Sequence, residues 1–406
     1  MSGTHPMLRN TAPEGTVSAA VATARRVQPA WAARPVAERL AVVRRLRTAL
    51  GERGGDLAAL SARTDVAGWL SRSEALAAEV VPLADACAFL VRRGAELLAA
   101  RRPGAVGRPA WLAGVELEVR RAPHGVVLVV APSNYPIFLP GVQTLQALAA
   151  GNAVLLKPGP RGSTAARWLA AELAAAGLPE GLLTLLPEAP EMVHRAVAAG
   201  VDHVVFTGSA RTGRALLVEL APHWTPATLE LSGCDALVAL ADADPERVAA
   251  ALAFSLRLNG GATCIAPRRA YVDRSILAAV ETALSRALAA QGPAAWPARE
   301  QVASLLPETA RPEALATARR LVAEAVEGGA WLLVGSLDPE APPAPLVVVV
   351  EPPAGADLLT ADLFAPVVAL VPVASEDEAV RLAETGPYAL GASVFGGEAA
   401  ARRVAD

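Results

Sequence analysis

The sequence predicts an α/β protein with two open sheets of parallel strands, preceded by a helical N-terminal part. Short apolar runs alternate with helical stretches between residues 126 and 220, which is typical of parallel βαβ units. The run 126–130 is rich in β-branched residues and has no polar position, as expected of a strand covered on both faces. A further α/β series begins near Leu229, which indicates a second sheet.

The first hundred residues differ from this alternating region. Residues 15–100 are predicted to be helical, and apolar residues recur at helical spacing within 36–50. At 115–120 apolar and polar residues alternate, which predicts a half-exposed strand. The chain therefore begins with helices and changes to strands near residue 115.

The elements of the two α/β series follow from their apolar runs. The predicted strands of the first series are 126–130, 153–156, 182–186 and 204–207, and its predicted helices are 141–150, 163–176, 190–199 and 211–220. The second series has a predicted helix at 243–258 and strands at 270–272, 346–350, 367–371 and 392–395. Open parallel sheets bind ligands at the carboxyl ends of their strands, so the residues after each strand are the candidates for a site.

Composition excludes several classes of protein. The 406-residue chain is 53% hydrophobic, largely through alanine, yet no apolar run reaches the roughly 18 residues of a membrane span. A net charge of −3 gives no reason to expect nucleic acid as a partner. The three cysteines form no CxxC pair and the five histidines share no metal-ligand spacing. The N-terminus lacks a secretory pattern. We therefore expect a soluble, cytoplasmic protein without a metal, a membrane or nucleic acid.

Five stretches with chemically active residue types follow the predicted strands or the turns between them. In chain order they are APSNYP with Asn134, Lys157-Pro158, FTGSARTG with Gly208, Ser209 and Gly213, LELSG with Glu230, and NGGATC with Cys264. A cysteine thiolate can attack a carbonyl carbon, and a carboxylate can activate water. A helix that begins after glycine and serine can bind a pyrophosphate. These residue types are compatible with a nucleophilic cysteine and a bound pyrophosphate.

Each of these residues also has a plainer interpretation. Cys264 could be a small buried hydrophobic residue, which is the usual fate of a cysteine outside a disulfide. Glu230 could be a solvated carboxylate at the end of a strand, and Asn134 could cap the following helix. Lys157 could be a surface lysine, and the glycines of 208–213 could form a tight turn without a ligand.

Taken in this order, the five stretches resemble those of the aldehyde dehydrogenase superfamily. The resemblance runs from about residue 20 to the end of the chain and includes LFAPVVAL at 363–370 and YALGASVF at 388–395. It implies an aldehyde dehydrogenase-like fold with two Rossmann-like, open parallel-sheet domains. It also implies oxidation of a small-molecule aldehyde to a carboxylic acid, with NAD or NADP as the cofactor.

The resemblance assigns roles to individual residues. It implies that Cys264 is the nucleophile, which forms a thiohemiacetal and then a thioester. The Asn134 amide and the backbone N–H of Cys264 would stabilise the oxyanion, and Glu230 would activate water. The implied cofactor-binding residues are Pro132, Ser133, Lys157, Gly208, Ser209, Gly213, Leu231, Asp362 and Phe364.

Several positions depart from the family pattern. Where many NAD-preferring members place a glutamate after the Lys-Pro pair, this chain has Pro160 followed by Arg161. Loss of that carboxylate predicts that NADP is accepted at least as well as NAD. Inside the motifs, Ser232, Cys234, Ala262, Asp362 and Ala365 replace a glycine, a lysine, a glutamine, a glutamate and a glycine. These substitutions predict a divergent member of the family.

The end of the chain also departs from the family pattern. The sequence stops within a helical pattern, before the family's pairing strand. This indicates either a truncated gene or a natural short form, and a homo-oligomer, although possible, would lack that strand.

Two other functions are compatible with the same residues. One is a CoA-acylating aldehyde dehydrogenase or acyl-thioester reductase, in which a thiol replaces water; Glu230 argues against it. The other is a catalytically degenerate homologue that acts as a binding or assembly protein. The predicted domain organisation is a helical part of the cofactor domain at 1–114, a strand or bridging segment at 115–123, a dinucleotide-binding domain at 124–231 and a catalytic domain at 232–406.

Overall fold

A computed structural model describes residues 17–63, 72–104, 108–289, 312–337 and 346–406. The chain forms two compact units. The first comprises residues 1–61 and 75–230, and the second comprises residues 62–74 and 231–406. The predicted domain organisation stays a prediction. Within the predicted domains, residues 1–16, 64–71, 105–107, 290–311 and 338–345 lie outside the described residues.

The N-terminal part is helical where it is described. Its helices are α1 (Val17–Ala32), α2 (Val36–Arg63), α3 (Arg72–Ala75), a π-helical segment (Leu76–Val80) and α4 (Val81–Leu98). Trp31 of α1 is buried, and its indole N–H donates to the carbonyl oxygen of Leu148 at 2.8 Å. The prediction of helices over 15–100 is confirmed for the described part of that range.

The first unit is built on a five-stranded sheet. Its strands are β1 (Val126–Val130), β2 (Ala153–Lys157), β3 (Leu183–Leu185), β4 (His203–Gly208) and β5 (Ala227–Leu231), in the order β3-β2-β1-β4-β5. The connecting helices are α5 (Phe138–Ala149), α6 (Ser163–Ala175), α7 (Glu191–Ala198) and α8 (Ala210–Leu220). β1 pairs in parallel with β2 and β4, and all five of its residues are buried. Such pairing places the loops after β1, β2 and β4 at one edge of the sheet.

The second unit is built on a six-stranded sheet. Its strands are β6 (Asp235–Ala239), β7 (Pro267–Asp273), β8 (Trp331–Val334), β9 (Val347–Val350), β10 (Val367–Val373) and β11 (Ala392–Phe395), in the order β11-β6-β7-β10-β9-β8. The helices are α9 (Pro245–Arg257), α10 (Leu277–Ala289), α11 (Pro312–Glu327), α12 (Glu376–Ala383) and α13 (Glu398–Ala405). The sequence pattern did not reveal β8, which pairs antiparallel with β9. The other pairings in this sheet are parallel.

The predicted strand at 115–120 is wrong. In the structure this stretch has no regular strand and makes one isolated antiparallel bridge, between Arg101 and Val119. The side chains of Val115 and Leu117 are half exposed. Alternation shows that a segment suits a strand, but a strand also needs a neighbour with which to pair.

The length and the polarity of a helix determine whether it can cross a membrane. Across the described ranges, each helix is either too short or too polar to cross a bilayer.

Candidate active site

In the first unit the structure brings the loops after β1 and β2 into contact. Val130 lies opposite Lys157 in the sheet, and the N–H of Ala131 donates to the carbonyl oxygen of Lys157 at 3.0 Å. A Cβ atom at Gly159 would lie 2.2 Å from the carbonyl oxygen of Pro132 and 2.9 Å from the nitrogen of Ser133. Only glycine fits at 159 without a backbone shift. The predicted cofactor-binding residues Pro132, Ser133 and Lys157 therefore lie together.

Lys157 is buried at the end of β2, and a carboxylate lies near it. Burial lowers the pKa of the Lys157 ammonium, and the charges of Glu188 and Glu191 oppose that effect. Glu188 accepts the backbone N–H of Arg161 at 2.6 Å and that of Ser163 at 2.9 Å. Arg161 has a φ of +63°, so this turn adopts a left-handed conformation that is uncommon for arginine.

Glu188 gives this turn a negative charge that the sequence did not lead us to expect. Burial alone would raise the pKa of Glu188, but the bonds from Ser163 and Arg161, together with the Lys157 charge, hold that pKa below its ordinary value. The carboxylate is thus an anion at neutral pH. The sequence motif at 157–161 contains Arg161, whereas the negative charge of Glu188 reaches this turn only through the fold. A glutamate two residues after an apolar run resembles any exposed carboxylate, and no sequence signal identified it.

The turn between β4 and α8 has the donors that an anion requires. Ser209 is the N-cap of α8, and its side chain accepts the N–H of Thr212 at 3.3 Å. Gly213 is buried one turn further along. A Cβ atom at Gly208 would lie 2.5 Å from the Phe206 ring. An ammonium group and a helix N-terminus are the donor set that binds the phosphates of a dinucleotide, so the residues of this unit fit NAD or NADP.

The loop that carries Asn134 leads into α5 and is held by a buried carboxylate. Asn134 is half-buried. Glu79, from the π-helical segment, accepts the backbone N–H of Ile137 at 2.7 Å and that of Phe138 at 3.1 Å. Burial raises the pKa of Glu79 to about 7, although these two bonds oppose the effect. Glu79 is a second residue that the sequence analysis missed.

Glu230 and Leu231 lie at the end of β5. The side chain of Glu230 is exposed and that of Leu231 is half-buried, as the alternating pattern of the strand dictates. Glu230 belongs to the first unit, whereas Leu231 begins the second. The exposed position leaves the carboxylate accessible to water.

In the second unit Cys264 lies on a turn with unusual backbone geometry. Asn259, Gly260 and Gly261 have φ angles of +52°, +57° and +70°. Cys264 is half-buried, whereas Cys87 and Cys234 are 0% and 2% exposed. Burial raises the pKa of Cys87 to about 12 and that of Cys234 to about 11, so both stay protonated thiols at neutral pH. Cys264 differs from the two buried cysteines in its exposure.

The segment 362–366 packs against this turn. A Cβ atom at Gly261 would lie 2.6 Å from the Cα of Pro366 and 2.9 Å from the carbonyl carbon of Ala365. Asp362, which is half-buried, accepts a hydrogen bond from the Ser232 hydroxyl. Burial raises the pKa of Asp362, and the Ser232 bond partly offsets the effect. The structure thus brings Cys264, Asp362 and the half-buried Phe364 into neighbouring segments of one unit.

A buried arginine connects these two segments. Arg268 is 4% exposed and donates to the carbonyl oxygens of Ala365 and Gly261, each at 2.6 Å, and of Thr263 at 3.2 Å. Burial lowers its pKa to about 10, and nearby negative charges, among them a Cys264 thiolate, oppose that effect. It is a third residue missed from sequence, because arginine is usually exposed and Arg268 lies outside the strand predicted at 270–272.

Comparison with known proteins identifies the chain. The model of the "Aldehyde dehydrogenase family" matches residues 8–406. The chain belongs to this family. It is 33% identical over 396 residues to a putative succinate-semialdehyde dehydrogenase [NADP(+)] 2 of Mycobacterium ulcerans, covering 95% of this chain and 74% of that relative. It is 35% identical over 207 residues, 51% of this chain and 39% of that relative, to a 4,4'-diapolycopene aldehyde oxidase of a Methylomonas species.

Solved structures have the same fold. An E. coli NADP-dependent enzyme superimposes with a TM-score of 0.84 at 25% identity, covering 96% of this chain and 80% of that chain. An indole-3-acetaldehyde dehydrogenase in complex with NAD+ gives a TM-score of 0.82 at 23% identity, over 96% of this chain and 79% of that chain. The second likeness shows the fold alone.

These findings confirm the predicted family, the aldehyde dehydrogenase-like fold and the reaction class. This aldehyde dehydrogenase is an oxidoreductase that oxidises an aldehyde with NAD or NADP. They lend no support to the CoA-acylating or degenerate alternatives. The roles of individual residues stay predictions.

Proposed function

We propose that this aldehyde dehydrogenase forms a covalent intermediate on Cys264 and releases a carboxylic acid. The observation that carries the proposal is the difference between the three cysteines: only Cys264 combines partial exposure with a turn packed against the Asp362–Phe364 segment. A thiolate is the nucleophilic form of cysteine. Its attack on the carbonyl carbon forms a carbon–sulfur bond and moves the carbonyl electron pair onto oxygen, giving a thiohemiacetal.

The developing oxyanion needs hydrogen-bond donors. We assign this role to the side-chain amide of Asn134 and the backbone N–H of Cys264, because loss of one such donor typically costs about 3–4 kcal/mol of transition-state stabilisation. The Glu79 carboxylate supports Asn134 indirectly, since it fixes the backbone N–H groups that follow the Asn134 turn. Oxidation of the thiohemiacetal carbon leaves a thioester on Cys264.

Release of the acid requires an activated water molecule. We assign Glu230 as the general base that takes a proton from this water, because its carboxylate ends β5 and is exposed. Attack of the water on the thioester carbon breaks the carbon–sulfur bond, and the acid leaves with the thiolate regenerated. A base of this kind accelerates hydrolysis by roughly a hundredfold to ten-thousandfold.

We propose the following roles for the cofactor-binding residues. Lys157, Ser209 and the N-terminal N–H groups of α8 bind its phosphates and ribose, with Pro132, Ser133, Gly208 and Gly213 shaping the backbone. Leu231, Asp362 and Phe364 bind its nicotinamide half. The nicotinamide of bound NAD or NADP supplies the hydride acceptor. The Ser232 hydroxyl orients the Asp362 carboxylate through the bond between them.

The relatives suggest the first substrate to assay. Because the similar mycobacterial proteins are named succinate-semialdehyde dehydrogenases, we propose a short aldehyde of this kind as the substrate. Formation of NADH or NADPH from succinate semialdehyde and from a panel of uncharged aldehydes tests this choice directly. Turnover of uncharged aldehydes without turnover of the semialdehyde would contradict it.

The nucleophile is tested with a matched pair of serine variants. Cys264→Ser should lower kcat by at least about a thousandfold, because a hydroxyl is a far weaker nucleophile than a thiolate at neutral pH. Cys234→Ser lies in the same unit and should retain most of the activity, since its thiol is buried and protonated. Activity that survives in Cys264→Ser and disappears in Cys234→Ser would overturn the assignment.

A further inference from the structure

Arg268 is a buried, positively charged residue to which the family resemblance assigns no role. Its guanidinium donates three hydrogen bonds, all to backbone carbonyl oxygens. Two of the acceptors, Gly261 and Thr263, lie in the turn that precedes Cys264. The third acceptor, Ala365, follows Phe364 in the neighbouring segment. One side chain therefore joins the cysteine turn to the segment proposed to contact the cofactor.

These three bonds require the planar fork of arginine. A guanidinium directs its N–H groups along fixed directions, so its bonds fix the relative position of the carbonyl groups that accept them. The turn has little freedom of its own against the same segment, since the Cα of Pro366 lies 2.6 Å from where a Cβ atom of Gly261 would be. Close backbone packing and the Arg268 bonds thus act on the same two segments.

Arg268 also brings a positive charge into a buried region. The titratable groups that interact with it are Cys234, Asp362, Asp235 and Cys264. Burial raises the pKa of Cys234 to about 11 and that of Asp235 to about 6, and it raises the pKa of Asp362. Asp235 is mainly ionised at neutral pH, whereas Cys234 remains protonated. A cation close to a thiol favours its thiolate form.

We propose that Arg268 is a positioning residue for Cys264, which holds the cysteine turn against the 363–366 segment and places a buried positive charge near the thiol. This inference rests on the proposed function, because it concerns the nucleophile assigned there. It adds to that function a residue that acts through its bonds to the backbone of the turn and through its charge.

The test follows the reactivity of Cys264 with pH. The rate of alkylation by iodoacetamide is measured without cofactor from about pH 5 to pH 10, with the modified Cys264 peptide quantified by mass spectrometry. In the wild-type protein we expect an inflection below the ordinary thiol value of about 8.5. Arg268→Gln should move the inflection up by about one pH unit, so that alkylation below both inflections slows about tenfold.

Two further variants separate charge from geometry. Arg268→Lys keeps the charge and loses the fork, so we expect the wild-type inflection with a lower kcat. Arg257→Gln is the matched control, because Arg257 also donates to backbone carbonyl oxygens, but these belong to Ala287 and Leu288 of α10. It should leave the inflection unchanged. A purely structural role of Arg268 would lower stability without moving the inflection.

Two outcomes would overturn the proposed role of Arg268. One is an Arg268→Gln profile that superimposes on the wild-type profile. If Arg268→Gln does not fold, a wild-type inflection at or above about 8.5 overturns it instead. Alkylation needs no turnover, so these results are independent of the activity of Cys264→Ser. Full activity in Cys264→Ser would defeat the proposed function, whereas an unmoved inflection would defeat only the role of Arg268.

Discussion

Two turns of this molecule, one in each unit, are held by buried or half-buried charges of opposite sign. Glu188 accepts backbone N–H groups from the turn between β2 and α6. Arg268 donates to backbone carbonyl oxygens in the turn between α9 and β7. Both turns contain left-handed residues, Arg161 with a φ of +63° and Gly261 with a φ of +70°. Each turn is thus held by hydrogen bonds to a charged side chain, and the two side chains have opposite charges.

The difference shows that the backbone groups which a turn directs inward determine which charged side chain can bind them. A turn that directs its N–H groups inward needs acceptors, which an anion can supply, and one that directs its carbonyl groups inward needs donors, which a cation can supply. The charge then acts on the ligand. In the roles proposed above, the Arg268 cation would favour a thiolate on Cys264, whereas the Glu188 anion would disfavour an additional phosphate near Lys157. The predicted acceptance of NADP is therefore opposed by a group that sequence did not reveal.

Among the variants that alter these two turns, Gly261→Ala should have the largest effect, because it disrupts the second turn. The new Cβ atom would lie 2.6 Å from the backbone of Pro366, so the turn must shift away from the 362–366 segment. A displacement of about 1 Å at a nucleophile lowers kcat about a hundredfold. Gly355→Ala is the matched control, since Gly355 has a similar φ of +82° and open space for a Cβ atom. Equal losses of kcat in both variants would contradict the explanation.

Glu79 sharpens the comparison, because it accepts two backbone N–H groups as Glu188 does but has a raised pKa. The pKa of Glu79 is about 7 in the folded protein against an ordinary value of 4.5. Its contribution to stability is therefore present below about pH 4.5 and is lost as the pH rises through about 7. Between about pH 5 and pH 8, wild type should lose roughly 2–3 kcal/mol more unfolding free energy than Glu79→Gln.

Urea unfolding across this pH range measures the difference. Glu188→Gln is the control, because the pKa of Glu188 is below its ordinary value and the carboxylate stays ionised throughout. It should retain the wild-type slope. A Glu79→Gln protein whose stability declines with pH as steeply as wild type would show that another group is responsible.

Glu188→Gln tests the anionic turn itself. Removal of the carboxylate charge near Lys157 should raise the ratio of kcat/KM for NADP to kcat/KM for NAD about tenfold, the effect of about 1.4 kcal/mol. Glu191→Gln is a matched control, because the charge of Glu191 also acts on Lys157 but contributes less. Its ratio should change less than that of Glu188→Gln. A ratio that falls in Glu188→Gln would place the 2′-phosphate elsewhere.

The smallest effect is expected for Ser232→Ala beside the cationic turn. Loss of one hydrogen bond to Asp362 should raise KM for the dinucleotide about fivefold, the effect of about 1 kcal/mol. The pKa of Asp362 should also rise further, since the Ser232 bond lowers it. Ser255→Ala removes a hydroxyl that bonds within its own helix and should leave KM unchanged. Identical KM values in both variants would show that Ser232 does not contribute to dinucleotide binding.

Continuous apolar runs made part of the fold predictable from the sequence. β1 was predicted at its observed bounds, and β2 to within one residue, because strands covered on both faces carry few polar positions. β6 and β8 were missed; β6 begins only four residues after β5, and β8 pairs antiparallel at the edge of its sheet. The exposed stretch 115–120 has the alternation of a strand without its pairing.

The site shows the same division between local pattern and tertiary environment. The order of the motifs indicated Asn134, Glu230 and Cys264, since each residue type carries its chemistry in the sequence itself. Glu79, Glu188 and Arg268 could not be found in this way. Their side chains matter because the folded chain surrounds them with backbone N–H or carbonyl groups, and burial of a charge has no local signature. The bond from Ser232 to Asp362 joins positions far apart in sequence and was equally hidden.

The account depends most on a covalent bond between the substrate carbon and the sulfur of Cys264. Glu230→Gln should slow hydrolysis of the thioester enough for it to accumulate. This variant is mixed with an aldehyde substrate and NAD or NADP, quenched in acid and digested, and its cysteine peptides are weighed by mass spectrometry. The account predicts one acyl group on the peptide that contains Cys264 and none on those with Cys87 or Cys234. An acyl group on either of those two cysteines, or turnover without any acylated peptide, would contradict it.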